Sequence, residues 1–422
     1  MTDSDNLELS RRRLLGTVGA AGAAGLVVGA AGGAGISAAL SGEDTAGAGA
    51  GGAPALTTVG STSVMFHGKH QAGITTPLQS RGHLVAFDLA PSAGRKEAAA
   101  LLRRWSVTAK ALMSGKAPAE DTGVALDAGP SSLTVTFGFG RTFFDRTGLT
   151  SRRPVGLDPL PAFSSDALDP RRSEGDLWVQ IGADDALVAF HALRAVQKDA
   201  GDAARVRWQM NGFNRSAGAT AKPMTARNLM GQVDGTGNPK PTDPDFDRRI
   251  FVPAGGGGAP EWMAGGSYAV VRRIRMLLDD WEKLPLDRQE QVIGRRKSDG
   301  APLTGGTETT ELDLNKLGPD GKPVIPDNAH SRISAPEQNG GAAMLRRPFS
   351  FHDGISPDGT PDAGLLFVCW QADPLRGFVP VQRKLDRGDA LSTFIRHEAS
   401  GLFAVPGGPA EGEYVGQRLL EA

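Results

Sequence analysis

At 422 residues, with 40% hydrophobic and 22% charged residues and a formal net charge of -1, the chain is near-neutral and long enough for two domains with cores of their own. That balance excludes nucleic acid or an anionic membrane surface as the main partner, and Arg171-Arg172 and Arg295-Arg296 read as solvated pairs rather than as parts of a basic patch. A single cysteine, Cys369, excludes an intramolecular disulfide, a Cys-ligated zinc or iron–sulfur site and any prosthetic group attached through two cysteines.

Ser10-Arg11-Arg12-Arg13-Leu14-Leu15, followed by a Gly/Ala-rich, weakly apolar run to about Leu40, resembles a twin-arginine export signal read by a receptor. The run is long enough to span a bilayer, but its glycines make it a poor anchor, so no stable membrane span is expected in the mature form. Ala46-Gly47-Ala48 and Ala53-Pro54-Ala55 are the small-residue cleavage candidates, and the expected destination is periplasmic, cell-surface or extracellular. Residues 1–55 are thus signal and flexible linker, and the folded body starts near Thr57.

Along the body, His83–Leu89 alternates as a strand should, and Arg95–Met113 carries apolar residues at helical spacing. Ser132–Phe137 and Leu177–Ile181 read as strands, Asp184–Gln197 as helix and Arg205–Met210 as strand. This order, βαββαβ, is the ferredoxin-like arrangement. In the second half, Tyr268–Leu277 reads as strand, Trp281–Ile293 as helix, Leu365–Trp370 as buried strand, Leu385–Glu398 mainly as helix and Gly401–Val405 as a short final strand. A polar stretch from Asp299 to Asn339 interrupts this series, and loops of such length are functional or disordered. Two sheet-plus-helix halves, 56–225 and 226–422, joined near Pro223–Asn228, are expected, with the insertion wrapped around a site.

The run Gly231-Gln232-Val233-Asp234-Gly235-Thr236-Gly237-Asn238-Pro239 holds one carboxylate between glycines that permit tight turns and close approach, and Pro239 fixes the exit. Alone, such a run is an ordinary surface loop. Of the seven histidines none has a multi-histidine metal spacing beyond the loose His67/His70 pair, but one histidine suffices for haem iron, whose porphyrin supplies four ligands. His330, inside the insertion, has the best setting, and Arg332 two residues on could pair with a haem carboxylate. Arg346-Arg347 follow the apolar pair Met344-Leu345; beside a reacting peroxide, an arginine would stabilise the charge that develops as the O–O bond breaks, and Asp234 would move the proton. There is no Gly-x-Ser-x-Gly elbow, and the Gly-Lys-Ser/Thr ending of a phosphate loop is missing.

Gly231-Gln232-Val233-Asp234-Gly235 resembles the Gly-x-x-Asp-Gly signature of dye-decolourising (DyP-type) haem peroxidases, as does its continuation through Pro239. Four further stretches agree: Phe66–Ile74, Asn328–Arg332, Leu345–Arg347 and Ser400–Pro406. The resemblance looks closest to the exported deferrochelatase/peroxidase branch of bacterial iron-uptake systems. It implies an α+β fold of tandem ferredoxin-like domains, of the dimeric α+β barrel type, with helices on the outer faces of antiparallel sheets. One non-covalent haem b would lie mainly in the C-terminal half.

By carry-over, His330 is the proximal iron ligand, Asp234 the distal acid-base residue and Arg346 the distal cation, since it follows the Leu of the motif; Arg347 is the reserve. Gly235, Thr236, Gly237, Asn238, Arg332 and Arg347 are expected to line the cofactor. Asp389 is expected to accept from the other nitrogen of His330, with Glu398 as the alternative and a plain helix cap as the bland reading of Asp389. Expected partners are hydrogen peroxide, a small-molecule reductant and the twin-arginine export machinery; iron-uptake partners and a homo-oligomer are open alternatives. With two tyrosines only, the six tryptophans would have to carry electrons from bulky reductants. Peroxidase turnover with an aspartate base predicts an acidic optimum. Release of iron from haem with the porphyrin intact is the alternative reaction.

Overall fold

A computed structural model describes residues 57–219, 225–255 and 258–421; the expected export signal and linker and part of the expected join near Pro223 lie outside these. The N-terminal half runs β1 (Arg81–Leu89), α1 (Arg95–Met113), β2 (Thr134–Phe139), β3 (Leu177–Ala183), α2 (Ala186–Ala200) and β4 (Ala204–Phe213). Its strands are antiparallel in the order β2-β3-β1-β4, in register pairs such as Val85↔Val179 and Val85↔Gln209.

The C-terminal half runs β5 (Ser267–Met276), α3 (Leu286–Ile293), α4 (His330–Ser334), β6 (Phe349–Ile355), β7 (Pro361–Gln371), α5 (Phe378–Gly388) and β8 (Ile395–Val405). Its order, β6-β7-β5-β8, repeats that of the first half. Single pairings Phe139↔Ala404 and Phe213↔Ser350 join the two sheets into a closed eight-stranded ring.

Local chemistry explains the elements. Asp185 caps α2 by accepting from the backbone N–H groups of Leu187 and Val188, and Gly201, at φ +49°, ends it. In α1 the buried Ala98, Leu101, Leu102, Trp105, Ala109 and Leu112 recur at i, i+3 and i+4, which gives one face to the sheet. Strand residues alternate between two cores. Val85, Phe87 and Val179 pack under the helices, whereas Leu84, Ala86 and Trp178 face the ring interior with Trp370 and Phe403. All seven residues of β3 are therefore buried, and Trp178 stacks on Phe403 at 5.3 Å. Burial on both faces holds for β2 and β3, whereas β4 keeps an exposed face.

Three expectations are corrected. Leu385–Glu398 is not mainly helix: α5 ends at Gly388, a short 3-10 turn covers Ala390–Phe394, and β8 already begins at Ile395. The final strand has eleven residues because it pairs with β5 over its full length. Trp281–Ile293 is two helices, Leu278–Glu282 and α3, since Pro285 between them has no N–H to donate. Strand β6 had no counterpart in the sequence reading; its signal was the alternation of Phe349 and Phe351, both buried in the ring.

Candidate functional site

The long insertion packs on the outer face of the C-terminal sheet and encloses a cavity of about 550 Å³. Ile274 and Met276 of β5, Leu365 and Phe367 of β7, Ile293 of α3 and Phe378 of α5 form apolar walls. A volume and lining of this kind suit a medium-sized, largely apolar ligand with a few oriented polar groups.

His330 opens α4, and its side chain keeps 33% exposure. Its Nδ1 is 2.7 Å from Oδ2 of Asp389, a carboxylate only 1% exposed. The other carboxylate oxygen of Asp389 accepts from the Leu391 N–H at 3.0 Å and caps the turn after α5. The two readings of Asp389, histidine partner and cap, are thus both true, one per oxygen. The Ala390 N–H donates to the Asn328 carbonyl at 3.0 Å and ties the two segments together. Burial works against protonation of His330, but the charge and hydrogen bond of Asp389 outweigh it and raise its pKa above the usual histidine value. The geometry leaves Nε2 as the ring nitrogen available to a ligand.

Asp234 reaches the same cavity from a tight turn. Asn228 builds that turn: its Oδ1 accepts from the N–H groups of Met230 and Gln232, and its Nδ2 donates to Asp234 Oδ2 at 3.3 Å. Gly231 lies at φ +77°, a left-handed conformation that favours glycine. Arg227 fastens the turn to the segment that leads into the insertion by donating to the carbonyls of Gly231, Lys297 and Ser298.

Arg346 also lines the cavity, and its Nε is buried without a protein partner. Gly235, Thr236 and Gly237 line it as well, and Thr236 donates to Glu308 Oε1 at 2.9 Å.

Other expected site residues are placed elsewhere. Arg347 is buried with its guanidinium donating to the carbonyls of Gly73 and Pro77 and to Gln79 Oε1, away from the His330 cavity. It therefore holds the Phe66–Ile74 segment onto the sheet. Arg332 spends both terminal nitrogens on the Leu314 carbonyl at 2.8 Å and pairs with Asp327 at 3.3 Å, so it is not on the cavity wall. Asn238 does not line the cavity either; its amide is engaged with the backbone of Arg346. Glu398, the alternative to Asp389, pairs with Arg273.

Cavity residues that were missed include Asn228, Arg295 and Glu308, as well as Arg272 and His397. Arg295 is not part of a solvated pair. It turns inward to donate to the carbonyls of Gly300 and Glu308, while Arg296 faces out onto Asp299. Alternate direction of adjacent side chains was the available signal. Glu308 had none, since its place depends on how the insertion folds back.

Family models described as Dyp-type peroxidase, N-terminal, and Dyp-type peroxidase, C-terminal, match residues 71–214 and 225–410. A dye-decolorizing peroxidase of Thermobifida fusca is 47% identical over 361 residues, 83% of this chain and 84% of that protein. A deferrochelatase of Yersinia pestis is 37% identical over 374 residues, 85% of each. Among solved structures, ferric DtpA from Streptomyces lividans is 77% identical with a TM-score of 0.85, covering 88% of this chain and 100% of that one. With the βαββαβ repeat and the His330 cavity in place, these matches over nearly the whole described body mean that the chain belongs to the Dyp-type peroxidase family.

Proposed function

We propose that this enzyme is a haem b peroxidase that reduces hydrogen peroxide while oxidising dye-like or phenolic reductants, with one haem held non-covalently in the His330 cavity. The observation that carries the reading is that His330 backed by Asp389, and Asp234 with Arg346, all line one apolar-walled cavity of about 550 Å³. The residues fit the group. A histidine with Nδ1 committed to a buried carboxylate presents its other nitrogen, the apolar walls suit a porphyrin, and one buried cysteine leaves no route to two-thioether attachment.

Haem, when bound, supplies the redox centre for peroxide reduction. His330 Nε2 would hold the iron, and Asp389 fixes the ring's tautomer and orientation. The Asp234 carboxylate takes a proton from one peroxide oxygen and returns it to the other, and the Asn228 amide holds that carboxylate in place. Arg346, always charged, stabilises the negative charge that grows as the O–O bond breaks. Asp234→Asn should slow peroxide reduction by roughly 10² to 10⁴ in stopped-flow measurement. An unchanged rate, or a pH–rate profile peaking at or above neutrality, contradicts Asp234 as the base.

A second reading, release of iron from haem with the porphyrin intact, is favoured by relatives that bear the name deferrochelatase. Anaerobic incubation with haem, read by metal-free porphyrin fluorescence, separates the two. Around this core we read residues 1–55 as a twin-arginine export signal and linker, and 56–225 and 226–422 as the two ferredoxin-like domains, the second holding the haem. Among the described residues no helix is long and apolar enough to cross a membrane.

A further inference from the structure

We propose that Asn238 is a positioning residue that sets the spacing between Asp234 and Arg346; this rests on the reading that those two act on peroxide. Asn238 Nδ2 donates to the Arg346 carbonyl at 2.7 Å, and the Arg346 N–H donates to Asn238 Oδ1 at 3.0 Å. The side-chain amide thus makes both hydrogen bonds that a neighbouring strand would make. Arg346 needs such a partner. Its register partner on β7 is Cys369, but the next ladder bond on that side comes from the Arg347 N–H to the Val368 carbonyl at 2.8 Å, so the polar groups of Arg346 point the other way.

The clamp is short on the Asp234 side too. The Asn238 N–H donates to the Gly235 carbonyl at 3.0 Å, closing a turn that starts on the residue after Asp234, and buried Pro239 fixes the exit. Gly235 lies at φ +116°, so the turn has one backbone path that a side-chained residue would resist. One tight turn and two hydrogen bonds therefore connect the Asp234 loop to the short strand Leu345–Arg346 across 108 positions of sequence. The chemistry of the clamp is specific to asparagine. It needs a donor and an acceptor spaced as in a peptide group: aspartate has no donor, and glutamine is a methylene too long.

The test is a double-mutant cycle on the haem-loaded enzyme, read by the second-order rate with hydrogen peroxide. Asn238→Ala and the isosteric Asn238→Asp should each slow it roughly ten- to hundredfold, the scale of an ångström-level misplacement. The Soret band, haem content and KM for the reductant should stay at wild-type values. In an Arg346→Leu background, Asn238→Ala should cost less than about threefold, because the clamp then has nothing to position. A wild-type rate in Asn238→Asp overturns the proposal, as does an undiminished loss in the Arg346→Leu background, which would mark general structural damage. If Arg346→Leu alone reacts at the wild-type rate, the distal pair itself is misassigned, a failure visible before Asn238 is touched.

Discussion

Asp389→Asn keeps the shape of the side chain and forces it to choose between its two jobs. One oxygen of Asp389 accepts from the Leu391 N–H at 3.0 Å and the other faces His330 Nδ1 at 2.7 Å. If the asparagine oxygen keeps the cap, its NH₂ faces Nδ1 and drives the ring proton to Nε2, the atom that must face the cavity. If the amide flips, the histidine keeps its acceptor, but two donors meet at Leu391; the lost cap costs about 1 kcal/mol and a buried unpaired donor about 1–3 kcal/mol more.

The flip strands a buried donor while the tautomer change does not, so the first outcome prevails and weakens haem binding on the scale of a lost ligand partner, roughly 10- to 100-fold, or about 1.4–2.7 kcal/mol. The assay is the rate of haem loss from the purified variant to an excess of apomyoglobin. The thermal midpoint of the haem-free protein serves as control and should move much less in Asp389→Asn than in Asp389→Ala. Haem retention at the wild-type rate, with an unshifted Soret band, would refute the claim that Asp389 governs the His330 tautomer.

Arg347→Met should cost about 2–5 kcal/mol of stability in urea unfolding, since it strands the carbonyls of Gly73 and Pro77 and the amide oxygen of Gln79 in the interior. Arg346→Leu should move the urea midpoint far less while slowing the peroxide reaction; equal destabilisation by the two would undo the division of labour between them. His397 is held neutral by burial, reinforced by the neighbouring Arg272 cation, with its pKa pushed down to about 3. Its unfolded form takes up a proton near pH 6.5 and its native form does not, so this contribution is complete above about 6.5 and is lost as pH falls toward 3, at up to about 1.4 kcal/mol per pH unit. Unfolding free energies at pH 7 and pH 4.5 should therefore differ less in His397→Asn than in the wild type, and an identical difference would contradict the assignment.

What could be read from the sequence divides along physical lines. The βαββαβ order was legible because periodicity is local: α1 spans the residues expected, Arg95–Met113. The β8 boundary was not, because Ile395–Glu398 is drawn into strand by pairing with β5, a contact from far along the chain. His330, Asp234 and Arg346 were legible through motif resemblance, and the structure brings them to one cavity. Arg332, Arg347 and Asn238 stand off the cavity wall for a shared reason. Each stands beside a cavity residue in the chain, yet its side chain is claimed by nearby backbone: Leu314 for Arg332, Gly73 and Pro77 for Arg347, and Arg346 for Asn238. Proximity in sequence to a site does not fix direction, and partners supplied by folding decide it.

The central claim is that His330 is the residue through which the cavity holds haem iron. Electronic absorption spectra of the purified wild type and of His330→Ala, each reconstituted with one equivalent of haem, test it most directly. A histidine-ligated Soret and charge-transfer pattern in the wild type that is lost in His330→Ala, by ligand change or by haem loss, is the predicted result; identical spectra and haem content in the two proteins would contradict it.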